Sequence, residues 1–118
     1  MKIKEIGEEY ITFSNGETLD SWHYQECCEE VYADFKNMQV MGVQPENFVM
    51  SDDLDFFENV LDSIVPIEGL GFYLVTKQGI CILVSCYNEQ NGCYSSDLCL
   101  RYKDKELDIS NCVEDIIY

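Results

Sequence analysis

Tyr10-Ile11-Thr12-Phe13-Ser14 alternates β-branched or aromatic residues with polar ones, Asn15-Gly16 follows, and Thr18-Leu19-Asp20-Ser21-Trp22 resumes the alternation. Asn-Gly between two alternating runs is the strongest short-range hairpin signal, because both positions must tolerate positive φ. The chain therefore opens with an antiparallel β-hairpin. Ile3 and Ile6, ahead of Gly7, add a short strand before it.

The C-terminal half carries the same period. Phe72 to Thr76, Ile80 to Tyr87 and Tyr94 to Tyr102 read as three strands joined by Lys77-Gln78-Gly79 and by a loop holding Asn91-Gly92, which predicts an antiparallel meander. Ile80 to Val84 is apolar on both faces, as a central strand requires, whereas Leu98, Leu100 and Tyr102 alternate with Cys99, Arg101 and Lys103 and leave one face wet. Glu106 to Ile109 is a candidate edge strand. The tail ends in Val113, Ile116 and Ile117, which need a packing partner.

Between these halves the period changes. Ser51 is a candidate N-cap, Asp52, Asp53 and Asp55 fall in a first turn, and Leu54, Phe57, Val60, Leu61 and Ile64 form a stripe at helical spacing. A helix is predicted from about Asp52 to Ser63, ending before Pro66. Residues 28 to 35 fit both periods and stay open between strand and helix. At 118 residues the chain holds one domain, 1–118. The expected fold class is α+β: an antiparallel β-sheet, built from the N-terminal hairpin plus the C-terminal meander, packed on one principal helix. Phe13, Trp22, Val31, Leu54, Phe57, Leu61, Leu74, Ile82, Val84 and Leu98 are the expected core.

Charge narrows the partners. There are 23 acids against seven Lys and Arg, a formal net charge of −16, with no cation between Glu5 and Phe35 or between Asn37 and Thr76. Such a surface disfavours direct binding of nucleic acid and attracts basic clefts, which are densest in nucleases and nucleic-acid-binding proteins. No apolar stretch has the length of a membrane span or a secretory leader. Seven cysteines, an odd number that includes the adjacent Cys27-Cys28, suit buried thiols of a reducing compartment better than a disulfide framework. A cytoplasmic protein is expected.

Chemistry concentrates in His23-Tyr24-Gln25-Glu26-Cys27-Cys28-Glu29. His23 and Cys27 are donors a zinc ion prefers, but Cys81, Cys86, Cys93, Cys99 and Cys112 lack ligand spacing. As nucleophiles, Cys27 and Cys28 would need a depressed pKa, and an acidic field acts the other way. The plainer reading makes the cysteines small core residues, with His23 and Gln25 bonding a loop backbone. Neither a cofactor nor a metal is expected.

This motif, together with Asn91-Gly92-Cys93-Tyr94-Ser95, resembles a family of uncharacterised small proteins common in phages, prophages and gut or soil bacteria. Its members carry His-x-Gln-Asp-Cys-Cys-Glu early and Asn-Gly-Tyr-Tyr-Ser late. The matching positions are His23, Gln25, Cys27, Cys28 and Glu29, then Asn91, Gly92, Tyr94 and Ser95. Glu26 and Cys93 depart from the pattern, and Asn37 to Leu70 aligns poorly. The resemblance implies a strand for Glu29 to Phe35 and a mobile-element setting. It implies no activity.

Two functions follow. The first is a non-enzymatic acidic interaction or inhibitor protein that binds a basic partner, in the manner of an anti-CRISPR or an immunity protein. Asp52, Asp53, Asp55, Glu58 and Asp62 are its expected contact residues, with Asp55, Glu58 and Asp62 sharing one face of the predicted helix. The second is a metal-binding or thiol-dependent protein using His23, Cys27 and Cys28.

Overall fold

In a computed structural model, residues 1–22, 30–42, 48–90 and 98–117 are described. Strands dominate. In chain order they are β1 (Ile3–Ile6), β2 (Tyr10–Phe13), β3 (Thr18–Trp22), β4 (Glu30–Ala33), β5 (Gln39–Met41), β6 (Ile64–Ile67), β7 (Gly71–Val75), β8 (Cys81–Gln90), β9 (Cys99–Tyr102), β10 (Lys105–Asp108) and β11 (Glu114–Ile117). One helical turn, α1 (Met50–Asp53), lies between β5 and β6, and single 3-10 turns occupy Phe35–Asn37, Val60–Ser63 and Ser110–Cys112.

The strands form two sheets. The first runs β1-β2-β3-β9-β10 and is antiparallel throughout. Its opening hairpin turns at Gly16, whose φ of 87° an L residue rarely adopts, and the Gly16 amide donates to the Phe13 carbonyl at 2.9 Å. The second is organised on β8, ten residues long. The first half of β8 pairs antiparallel with β7 and with β5, its second half antiparallel with β4 and parallel with β11, and β6 extends the sheet beyond β7.

Alternation on β8 decides which way the second sheet faces. Ile82, Val84, Cys86 and Asn88 are fully buried, while Cys81, Leu83, Ser85, Tyr87 and Glu89 lie on the partly exposed side. The inward residues join Ile11, Phe13, Leu19, Leu100 and Tyr102 of the first sheet in one core. Phe13 meets Phe56 edge-on with ring centroids 5.4 Å apart, and Phe35 meets Phe72 at 6.3 Å.

The α+β expectation is overturned. Among the described residues α1 is four residues long, and the predicted principal helix is absent. Residues 54 to 57 instead follow a period of two, with Leu54 and Phe56 fully buried, Asp55 half-buried and Phe57 42% exposed. Long-range backbone bonds explain the outcome. The Phe56 amide donates to the Met1 carbonyl at 2.7 Å, the Lys77 amide to the Asp55 carbonyl at 2.8 Å, and the Asp55 amide to Gln78 Oε1 at 3.2 Å. A lone 12-residue helix is marginal in water, and spacing Asp55, Glu58 and Asp62 along one face would add repulsion of about 0.2–0.5 kcal/mol per pair.

The meander is corrected as well. β8 and β9 belong to different sheets, and β9 is inserted between β3 and β10. Trp22 is 43% exposed because Leu19 and Ser21 take the inner face of β3, which sends residue 22 outward beneath Arg101, 5.8 Å from its ring centroid. Leu61 is partly buried. The other expected core residues, Phe13, Val31, Leu54, Leu74, Ile82, Val84 and Leu98, are buried.

Gly71 ties β7 to β8 at close range. Its φ is +153°, and a Cβ there would run into the Val84 carbonyl oxygen. Gly71→Ala should cost about 1–3 kcal/mol in urea unfolding. Gly79→Ala, at φ +82° with open space around it, should cost less, since it carries backbone strain alone. Equal losses would contradict the packing assigned to Gly71.

Candidate functional site

The acidic run predicted as a contact surface lies on α1, the extended segment after it and the 3-10 turn Val60–Ser63. These elements do not place Asp55, Glu58 and Asp62 along one helix face. Asp52, Asp53, Glu58 and Asp62 are exposed. The Asp53 carboxylate accepts from the Val49 amide, closing α1 on itself, and the Asp52 carbonyl accepts from Lys2 Nζ.

Asp55 has a structural partner. Its Oδ1 lies 2.6 Å from the Met1 ammonium, which also donates to the Phe56 carbonyl at 2.9 Å, and Lys77 Nζ approaches Oδ2 at 3.9 Å. The hydrogen bond from the ammonium holds the Asp55 carboxyl below its ordinary pKa. Beside this anchor the Tyr102 hydroxyl donates to the Glu58 carbonyl at 2.8 Å, and burial pushes its pKa up to about 12. Asp55 thus belongs to the packing of the N-terminus, while Asp52, Asp53, Glu58 and Asp62 keep their carboxylates toward solvent.

Elsewhere ion pairs are few. Arg101 grips Asp20 with two bonds, Nε to Oδ1 at 3.1 Å and Nη2 to Oδ2 at 3.0 Å, and Lys103 lies 3.3 Å from Glu17. With Asp55 these are the carboxylates in ion pairs among the described residues. Glu5, Glu8, Glu9, Glu68, Asp104, Glu106, Asp108 and Glu114 are exposed without one.

One acidic cleft escaped the sequence reading. Two adjoining hollows of about 420 and 320 Å3 share Glu8, Glu9 and Lys36, with Glu5 and Tyr10 lining the first and Tyr32, Asp34 and Asn37 the second. Tyr10 donates to Glu5 at 3.1 Å, and Asn37 bridges both oxygens of Asp34. No local pattern announces this place. The turn after β1 and the segment after β4 meet there through the fold.

The His23 to Glu29 motif, with His23, Gln25, Cys27 and Cys28, lies outside the described residues, as do Asn91, Gly92, Tyr94 and Ser95. The strands that flank these two segments are paired at both ends, Trp22 with Cys99 and Glu30 with Glu89. Among the described residues no three metal-ligating side chains gather. Cys86 and Cys112 are buried thiols, and burial pushes Cys86 up to about 12.

No family model, no curated protein and no solved structure matches the chain. No helix among the described residues is long and apolar enough to cross a membrane.

Two outcomes follow from these surroundings. Because the folded pKa of Asp55 is lowered, its contribution is fully present above the ordinary carboxylate range and is lost as pH falls through the folded value. The stability difference between the wild type and Asp55→Asn should therefore be largest near neutral pH and shrink as pH falls through and below the ordinary carboxylate range in urea titrations. A difference that stays constant with pH would contradict the ammonium contact. Cys86 should resist iodoacetamide in the native protein and react on unfolding, as read by peptide mass spectrometry. Native labelling as fast as that of the half-exposed Cys81 would contradict its burial.

Proposed function

We propose that this is a non-enzymatic acidic interaction protein, a cytoplasmic inhibitor or binding module that engages a basic protein partner such as a nuclease or another nucleic-acid-binding protein. The observation that supports it most is the excess of solvent-facing carboxylates outside any ion pair, in a chain of net charge −16. Isolated surface carboxylates add little to folding, so a charge of this size acts on association, by steering an oppositely charged partner.

Asp52, Asp53, Glu58 and Asp62 are the contact residues of this reading, and Asp55 is withdrawn from them because the Met1 ammonium already engages it. The inhibitory role in a phage or mobile-element setting rests on the sequence resemblance described above.

The test is affinity capture from a lysate of the source organism at about 0.05 and 0.5 M salt, where the Debye length falls from about 14 to 4 Å. A basic partner should be retained at low salt and lost at high salt. The combined variant Asp52→Asn, Asp53→Asn, Glu58→Gln and Asp62→Asn keeps the side-chain shapes, Asp53's acceptor included, and removes four charges. It should weaken recovery at least about tenfold. An acidic partner, or recovery unchanged by the four substitutions, would sink the assignment.

A further inference from the structure

Charge alternates across the outer face of the first sheet toward one of its edges. Asp20 of β3, Arg101 of β9 and Glu106 of β10 stand directly opposite one another, negative, positive and negative. Arg101 gives both of its bonds to Asp20 and lies 5.8 Å from the Trp22 ring centroid, so Glu106 faces it outside any ion pair among the described residues. In the next row Asp108 follows Trp22 and Cys99. Hydrogen bonds from the Ser110 hydroxyl and amide hold the Asp108 carboxyl below its ordinary pKa and keep it charged.

Among the described residues the sheet ends at β10. The Ile109 amide donates to the Leu98 carbonyl at 2.9 Å, which puts Lys105, Leu107 and Ile109 in the positions that bond toward β9. Glu106 and Asp108 alternate with them, so their amides and carbonyls turn to the open edge. Other edges are blunted by the backbone. β1, at the opposite end of the sheet, is interrupted by a register shift between Ile3 and Glu5, and β6, at the end of the second sheet, carries Pro66. β10 keeps a continuous register and has no proline.

We propose that the β10 edge binds an extended basic segment of a partner protein, which adds to the first sheet as a further antiparallel strand with Lys or Arg opposite Glu106 and Asp108. Charge selects this occupant. A cation opposite Glu106 continues the alternation of Asp20, Arg101 and Glu106 by one more place, and opposite charges facing each other across a strand pair are favourable. A second copy is disfavoured by the same geometry. Antiparallel pairing sets bonded residues against bonded residues, so two β10 edges would oppose carboxylate to carboxylate. Between Glu106 and Asp108, Leu107 packs against the core, so the residue opposite it is apolar and the recognised pattern is basic, apolar, basic. This mode shares a basic partner with the proposed function but stands on residues away from α1, and a test with a synthetic strand lets either reading fail alone.

The probe is the end-capped peptide Lys-Val-Lys-Val-Lys, titrated to about 5 mM into the isotope-labelled full chain at about 0.05 M sodium chloride, where charges are weakly screened, and followed by amide NMR shifts. The main-chain bonds of one short strand are weak, so a dissociation constant on the order of 1 mM is expected, with the largest shifts at Glu106 and Asp108. The same peptide built with N-methyl lysines keeps its charges but loses the donors that face β10, and should bind about fivefold more weakly or worse. Glu106→Gln combined with Asp108→Asn should weaken binding of the unmodified peptide at least about threefold. Glu106→Pro, which removes an N–H on the open side of β10 and none that bonds β9, should weaken it more than Glu106→Gln alone. Absence of shifts up to the highest peptide concentration overturns the proposal. So do shifts centred away from β10, or equal binding by the N-methylated peptide.

Discussion

The second sheet depends on one strand that hydrogen-bonds on both edges along its length. β8 supplies partners to β5 and β4 on one side and to β7 and β11 on the other, and β6 reaches the sheet through β7. Its inward residues Ile82, Val84 and Cys86 are fully buried. Each large apolar side chain so enclosed contributes about 1.5–3 kcal/mol, and ladder bonds protect the backbone polar groups that burial would otherwise penalise. Removing β8 from the sheet would leave β4, β5, β7 and β11 without it, so the sheet forms with β8 or not at all.

The first sheet and the N-terminus close the other side of the core. The segment after α1 lies extended between Met1 and the turn Lys77-Gln78, held by backbone bonds at each end, and drops Leu54 and Phe56 inward. Phe13, Phe56 and Tyr102 meet edge to face, and the Tyr102 hydroxyl finds the Glu58 carbonyl, which satisfies a polar group that the ring carries inside. The ammonium and Asp55 sit at the rim of this packing. The same residues that looked like one side of a binding helix are therefore divided between anchoring and display.

Charge is distributed by the sheets and not by the helix pattern. Ion pairs at Asp20, Glu17 and Asp55 join parts distant in sequence, whereas the remaining exposed carboxylates stay in water, where screening keeps their mutual repulsion small.

The hairpin around Asn15-Gly16, the strand from Ile80 onward, and the alternation of Leu98, Leu100 and Tyr102 were legible in the chain, because a period of two and a glycine turn act on neighbours along the sequence. The helix expected over 52–63 was not, since Leu54, Phe56 and Phe57 fit two periods locally and bonds to Met1, Lys77 and Gln78 chose between them. Trp22 faced outward for a related reason: alternation defines two faces, and burial of Leu19 decided which one was inside. The acidic composition was legible in the chain, but where the exposed carboxylates gather was not. Which strands β9 and β11 join and where Glu5, Glu8 and Asp34 form a cleft are decided by contacts across tens of residues, and these exist once the two sheets close on a common core.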